Sequence, residues 1–366
     1  MDTTDQPRCK LLIIGAGPLG SLFAARLYQA GHDVSILARG PRLAELRRHG
    51  VVLEEFHTGR QEVVPVRVVE TLDPDDAYDL VLVIMRKNHV AGVLPALAAN
   101  RRTLNILFLG NNCAGPDELV EALGPERVLI GFPMSAADRH GHAVRYVGWE
   151  SDEKAVIPIG EPDGSISDRT HQVAAILSTM PGYGVEIRTD MDAWLKTHVA
   201  LLMPSIAPAF YACGLDRHRV ARTRDAVVLA VRAVREAFAV LRALGVPVVP
   251  ARIPRLVSLP EPILVPLLRR IVTRDELEVA MIGHLRAAPD EMKHLAGEFL
   301  ALARVTTVPT PAIDRLYTYF DPATPLLPDG SAGIPLDYRG LALGLAGLAA
   351  LTAAIYLLTR RPHRRT

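Results

Sequence analysis

The residues whose types and spacing promise chemistry appear early in the chain. Gly15-Ala16-Gly17-Pro18-Leu19-Gly20 fits G-x-G-x-x-G, directly after the apolar run Leu11-Leu12-Ile13-Ile14 and before an alanine-rich helical pattern from Ser21 to Ala30. Between a strand and a helix this pattern cradles the pyrophosphate of a dinucleotide. Gly15 permits the tight turn, Gly17 lets the backbone approach the phosphates, and Gly20 lets helix and strand pack closely. The free N–H groups at the helix start complement the negative charge. A second strand, His32 to Leu37, ends at Ala38-Arg39-Gly40. A site for NAD places a carboxylate there for the ribose hydroxyls. This chain offers Arg39, with Arg42 a helical turn on, and a guanidinium suits a phosphate by charge and by its fork of donors. NADP(H) is the expected cofactor, held by Gly15, Ala16, Gly17, Pro18, Leu19, Gly20 and Arg39.

Two more polar groups fall at strand ends. Asp79 to Met85 reads as a buried strand ending in Arg86-Lys87-Asn88-His89, and Thr103 to Leu109 ends in the turn from Gly110 through Asn111 to Pro116. Open α/β sheets bind ligands at the carboxyl ends of their strands. Strands alternating with helices predict an α/β fold with a Rossmann-type, doubly wound parallel sheet. Between 132 and 164 short glycine-punctuated runs predict antiparallel edge strands. From about Met191 to Tyr319 nearly every segment has helical periodicity. The expected organisation is a cofactor-binding domain over 1–188, an all-α domain over 189–320 and a proline- and glycine-rich linker over 321–339. The crevice between two domains is the default ligand site.

With 366 residues and 49% hydrophobic content, two cored domains are feasible. A net charge of +1 gives no argument for nucleic acid. Cys9, Cys113 and Cys213 are too scattered for a disulfide framework or a zinc site, so no metal is expected. Residues 340–359 carry no charge and are bracketed by Arg339 and Arg360-Arg361. About 20 helical residues span roughly 30 Å, the bilayer hydrocarbon, so a C-terminal transmembrane helix is expected. That implies a membrane-associated chain with its catalytic domain in the cytoplasm. Ala342, Ala346, Ala350 and Ala354 form a small-residue ridge of the kind that can pair two such helices in a homodimer, although an alanine-rich helix also makes such ridges by accident.

The glycine unit followed by Arg39, the Asn111 turn, Ile159-Gly160-Glu161, Trp194-Leu195-Lys196 and Asp290-Glu291 with Gly297 occur in an order that resembles the ketopantoate reductases. The resemblance covers roughly residues 10 to 320. It implies reduction of a 2-oxo acid by NADPH, with 2-dehydropantoate as first candidate, in a site between a Rossmann domain and a helical domain. It also implies catalytic roles for Lys196, Asn111 and Glu291, a cofactor contact for Asn111, and a cofactor-phosphate contact for Arg86. The chemistry of Lys196 is reasonable without the family: hydride addition to a ketone builds charge on oxygen, which an ammonium stabilises and protonates.

The departures are as informative. Asparagines usual four and eight residues after the lysine are Ala200 and Pro204, a serine of the substrate shell falls at Val279, and an aspartate at Gly283. Apolar groups cannot hydrogen-bond a hydroxy acid, and sites built on such bonds discriminate strongly. His198 reads as an ordinary core-edge histidine and His294 as a second candidate on the Glu291 face. Two functions stay open at this level: a 2-oxo acid reductase, and a membrane-anchored NADP(H)-binding module without catalysis.

Overall fold

A computed structural model describes residues 8–148 and 154–339. The strands are β1 (Lys10–Ile14), β2 (Asp33–Leu37), β3 (Val51–Glu55), β4 (Gln61–Val64), β5 (Arg67–Val69), β6 (Leu80–Val83), β7 (Ile106–Leu109), β8 (Val128–Gly131), β9 (Ala137–His140), β10 (Ala143–Tyr146), β11 (Ala155–Gly160) and β12 (Tyr183–Ile187). Eight of them form one sheet in the order β12-β11-β8-β7-β6-β1-β2-β5. All neighbours in it are parallel except β8 and β11. β1 lies between β2 and β6, so the chain winds away from it in both directions. This is the switch point at which doubly wound sheets leave a crevice. Ile14 is level with Leu37 of β2 and Val83 of β6, which sets three strand ends side by side.

β1 shows why the sheet is buried on both faces. Leu11 and Ile13 enter one core, while Leu12 and Ile14 enter another on the opposite face, as the two-residue period of a strand requires. The predicted edge differs in detail. β10 belongs to a second sheet, ordered β4-β3-β10-β9, and β11 joins the main sheet with β12 parallel beside it. Pro65 lies between β4 and β5 and separates the two strands.

Beyond β12 the chain is helical. The helix Met191–Leu201 carries Lys196 and passes into a π-helical turn, Leu202–Ile206, before Ala207–Tyr211. The amphipathic helix Arg224–Ala243 is the pillar of this domain, with twelve buried residues. Further on come Glu261–Ile271, a π turn Glu278–Ile282 and Gly283–Ala287. Pro289–Arg304 follows and carries Glu291.

Two expectations change. Residues 321–339 are no loose linker: Leu327 is buried, and the segment is strapped to the helical domain. Arg219 donates to the Leu327 carbonyl, Arg222 pairs with Asp329, and Arg232 donates to the Pro335 carbonyl. Buried Asp225 accepts from the N–H groups of Gly333 and Ile334, and buried Glu261 from that of Asp337. The membrane-associated localisation is also corrected. No helix among the described residues is long and apolar enough to cross a membrane. The stretch 340–359, read as a transmembrane helix, lies outside the described residues, as does the alanine ridge of the expected homodimer.

Candidate functional site between the two domains

The glycine run divides into packing and opening. A Cβ on Gly15 would collide with the Ile84 carbonyl oxygen, and one on Gly20 with the Gly15 carbonyl oxygen. Gly15 also has φ +110°, where side chains are strained. A Cβ on Gly17 would meet nothing within 4 Å. Gly17 is the N-cap of the helix Pro18–Gln29, and its side is open for a ligand at the helix start. That is the cradle a pyrophosphate requires, so these residues fit the cofactor.

Arg39 and Arg42, alike in sequence, have different jobs. Arg39 is exposed at the end of β2, and its guanidinium makes no hydrogen bond or ion pair among the described residues. Arg42 is spent on the loop itself: its guanidinium donates to the Ala16 carbonyl and to Ser21 Oγ, each at 2.9 Å. Glu45 pairs with Arg42 at 3.2 Å and with Arg139 at 2.7 Å. Arg39 alone is left for a ligand.

Arg86 is already engaged by protein groups. It reaches across to the helical domain, donating to the Ala287 carbonyl at 2.6 Å and pairing with Asp290 at 3.2 Å. Asn88 donates to the other oxygen of Asp290 at 2.8 Å, and the Lys87 N–H to Glu291 Oε1 at 3.0 Å. Three successive residues beyond β6 thus clasp two successive residues at the start of Pro289–Arg304. The Arg86 and Asn88 contacts, with backbone hydrogen bonds, hold the Asp290 carboxyl below its usual range. Glu291 is 2% exposed. Its Oε2 has no hydrogen-bond partner, although His284 Nε2 lies 3.1 Å away without hydrogen-bond geometry.

Lys196 is brought to the turn after β7. Its Nζ is closely ion-paired with Asp192, one helical turn earlier, and a Cβ on Gly115 would lie 3.5 Å from it. Asn111, Asn112, Lys87 and Leu195 line one small cavity of about 30 Å³ with Met85 and Phe108. Asn111 Oδ1 and Asn112 Oδ1 are buried without partners. Lys196, Asn111 and Glu291 therefore converge on the ends of β6 and β7, from elements up to 180 positions apart in the sequence.

Ala200 and Val279 are buried and apolar, and Pro204 lies in the π turn. Ile159-Gly160-Glu161 serves the scaffold: buried Glu161 accepts from Ser167 and Thr170 and pairs with Arg169. His198 packs against Phe132 and Trp194, with ring centroids at 4.2 and 5.3 Å. Burial lowers its pKa to about 4. Asp192, Asp290 and Glu298 are absent from the sequence-based list of side chains. Asp192, at i−4 from Lys196, was visible as a helical ion pair; Glu298 offered the sequence only His294 at i−4, since Cys113 and Lys87 come from other elements.

Residues 11–156 match the family described as Ketopantoate reductase PanE/ApbA. The chain is a ketopantoate-reductase-like oxidoreductase. The 2-dehydropantoate 2-reductase of Archaeoglobus fulgidus is 28% identical over 217 residues, which is 58% of this chain and 67% of that protein. A ketopantoate-reductase-like fold extends beyond the sequence match. A crystal structure titled as a putative ketopantoate reductase from Ralstonia solanacearum superposes with TM-score 0.67 at 21% identity, covering 86% of this chain and 97% of that one. D-mandelate dehydrogenase, in a ternary structure with NADH and anilino(oxo)acetate, superposes with TM-score 0.69 at 17% identity, covering 85% and 96%. At such identities these structures speak for the fold.

Proposed function

We propose that the chain reduces the 2-oxo group of a small 2-oxo acid with NADPH, 2-dehydropantoate being the first candidate. The observation that carries this is the position of Lys196 Nζ beside the Asn111–Gly115 turn, which follows β7 of the same sheet whose β1 leads into the open Gly17 cradle. A bound nicotinamide supplies the hydride. Asp192 fixes where the Lys196 ammonium lies. Lys196 faces the ketone oxygen, offsets the charge that grows on it and transfers a proton to it, giving the 2-hydroxy acid. Asn111 and Asn112 offer unpartnered amide oxygens to ligands in the same wall. Arg39 supports the choice of NADPH, since its free guanidinium suits the 2′-phosphate. The apolar side chains at 200, 204 and 279 favour an acid whose far end is less polar than that of ketopantoate. Binding without catalysis is the reading the comparisons do not favour.

The test is NADPH oxidation with ketopantoate and a panel of branched and aromatic 2-oxo acids. Lys196→Ala should lower kcat by about 10²- to 10⁴-fold and leave NADPH affinity unchanged. If the wild type turns over none of these acids, the function is wrong.

A further inference from the structure

Lys87 differs from every other lysine discussed here in being enclosed. It is 8% exposed, follows Arg86 at the carboxyl end of β6, and lines the cavity with Asn111, Asn112 and Leu195. An ammonium taken out of water requires charge and hydrogen bonds in return. Lys87 has only part of this. Glu118 Oε2 lies 3.5 Å from its Nζ and Glu298 Oε1 lies 3.9 Å away. Both are beyond hydrogen-bond length, and Nζ makes no hydrogen bond among the described residues. Glu118 is half exposed, which weakens its pull.

Glu298 is not dedicated to Lys87. It accepts from the Cys113 N–H at 3.4 Å and lies 3.3 Å from His294 Nε2. It keeps two partners when Lys87 turns elsewhere. Lys87 and Lys196 also flank the same turn. Burial and Glu298 push the Cys113 thiol up to about 12, and Lys196 and Lys87 both act against that rise. Two ammonium groups thus converge on residues 111–115 from different elements, one fixed by Asp192 and one with unused donors. In the helical domain, the positions that carry polar side chains in the resembling family hold buried Ala200, Pro204 and Val279.

We infer that Lys87 Nζ is a substrate-binding group that takes the carboxylate of the 2-oxo acid, while Lys196 attends to the ketone oxygen. The assignment rests on the proposed reduction of a 2-oxo acid. It relocates carboxylate recognition from the helical wall to the sheet wall of the crevice, in the one residue whose N–H already holds Glu291.

The experiment separates binding from turnover. In a Lys196→Ala background with NADPH present, calorimetry measures binding of ketopantoate, of the panel acids, and of the neutral methyl ester of the best ligand. Lys87→Met should weaken the acid about 10- to 100-fold, the scale of a charge-assisted hydrogen bond. The ester should change less than about twofold, with NADPH affinity unaltered, and Lys87→Arg should recover most of the loss. Should Lys87→Met misfold by circular dichroism, Lys87→Met/Glu298→Gln removes both charges and takes its place. Equal binding of the acid by these variants and the parent overturns the Lys87 role and leaves the proposed reaction standing. Equal loss of acid and ester overturns it too. Absence of binding of every acid to the parent, together with absent wild-type turnover, brings down the proposed reaction and the Lys87 role together.

Discussion

The two walls of the crevice are built on different principles. The sheet wall around Gly15–Gly20 works with backbone: two glycines are required because carbonyl oxygens occupy the space of a side chain, and the third because its side is open. The helical wall works with side chains. Lys196 and Glu291 lie on helices separated by nearly a hundred positions, and the polar neighbours expected near them are Ala200, Pro204 and Val279. Backbone recognition cannot change without losing the turn. Side-chain recognition can move, and the role proposed for Lys87 is such a move to the opposite wall.

The contrast is sharpest at Gly20 and Gly17. Gly20→Ala should destabilise the protein by about 3 kcal/mol or more, since backbone meets backbone there and cannot repack. Gly17→Ala, at φ −74°, should leave stability within about 0.5 kcal/mol and weaken NADPH binding at least about tenfold. Thermal unfolding and fluorescence titration of both variants check this. If Gly17→Ala binds NADPH like the wild type, the cradle lies elsewhere. A smaller effect is expected at Arg39. Arg39→Ala should cost about 10- to 100-fold in NADPH affinity and nothing in NADH affinity, measured as the ratio of the two dissociation constants. An equal fall for both cofactors would assign Arg39 to the adenosine and not to the phosphate.

The smallest effect tests the helical wall through pH. His198 has a folded pKa of about 4 against an ordinary value of 6.5. Between these values the unfolded chain binds the proton and the folded one does not, so stability is fully present above pH 6.5 and falls as the pH drops towards 4. In His198→Phe, which keeps the stack on Phe132 and Trp194, urea midpoints between pH 7 and 4 should fall less steeply. Parallel slopes would mean that acid acts on this wall through its carboxylates.

The sheet and its cradle were legible because their signals are local: an apolar run of four residues, three glycines and an arginine within thirty residues. Arg42 shows the limit even there. Its sequence context matches that of Arg39, and only the fold shows it bound to Ala16 and Ser21. On the helical wall the helices were visible from their periodicity, but the π turns at Leu202–Ile206 and Glu278–Ile282 were not, because each inserts a residue into an otherwise regular pattern. Arg86 looked like a phosphate ligand because its partner, Asp290, stands 204 positions away. The segment 321–339 looked like a linker because proline and glycine mark loops whether they are free or held. Its restraints are arginines and acids that read as ordinary helix surface.

The order of those restraints has a mechanical meaning. Leu327, Asp329, Gly333, Pro335 and Asp337 meet Arg219, Arg222, Asp225, Arg232 and Glu261 in turn. Tension applied at Arg339 therefore falls first on Asp337 and Glu261 and then on each pair in succession, like a zip opened from one end. Load is shed one contact at a time along the strap, and the pairs at Asp225 and Arg232 deliver it to the pillar helix against which the Lys196 helix packs.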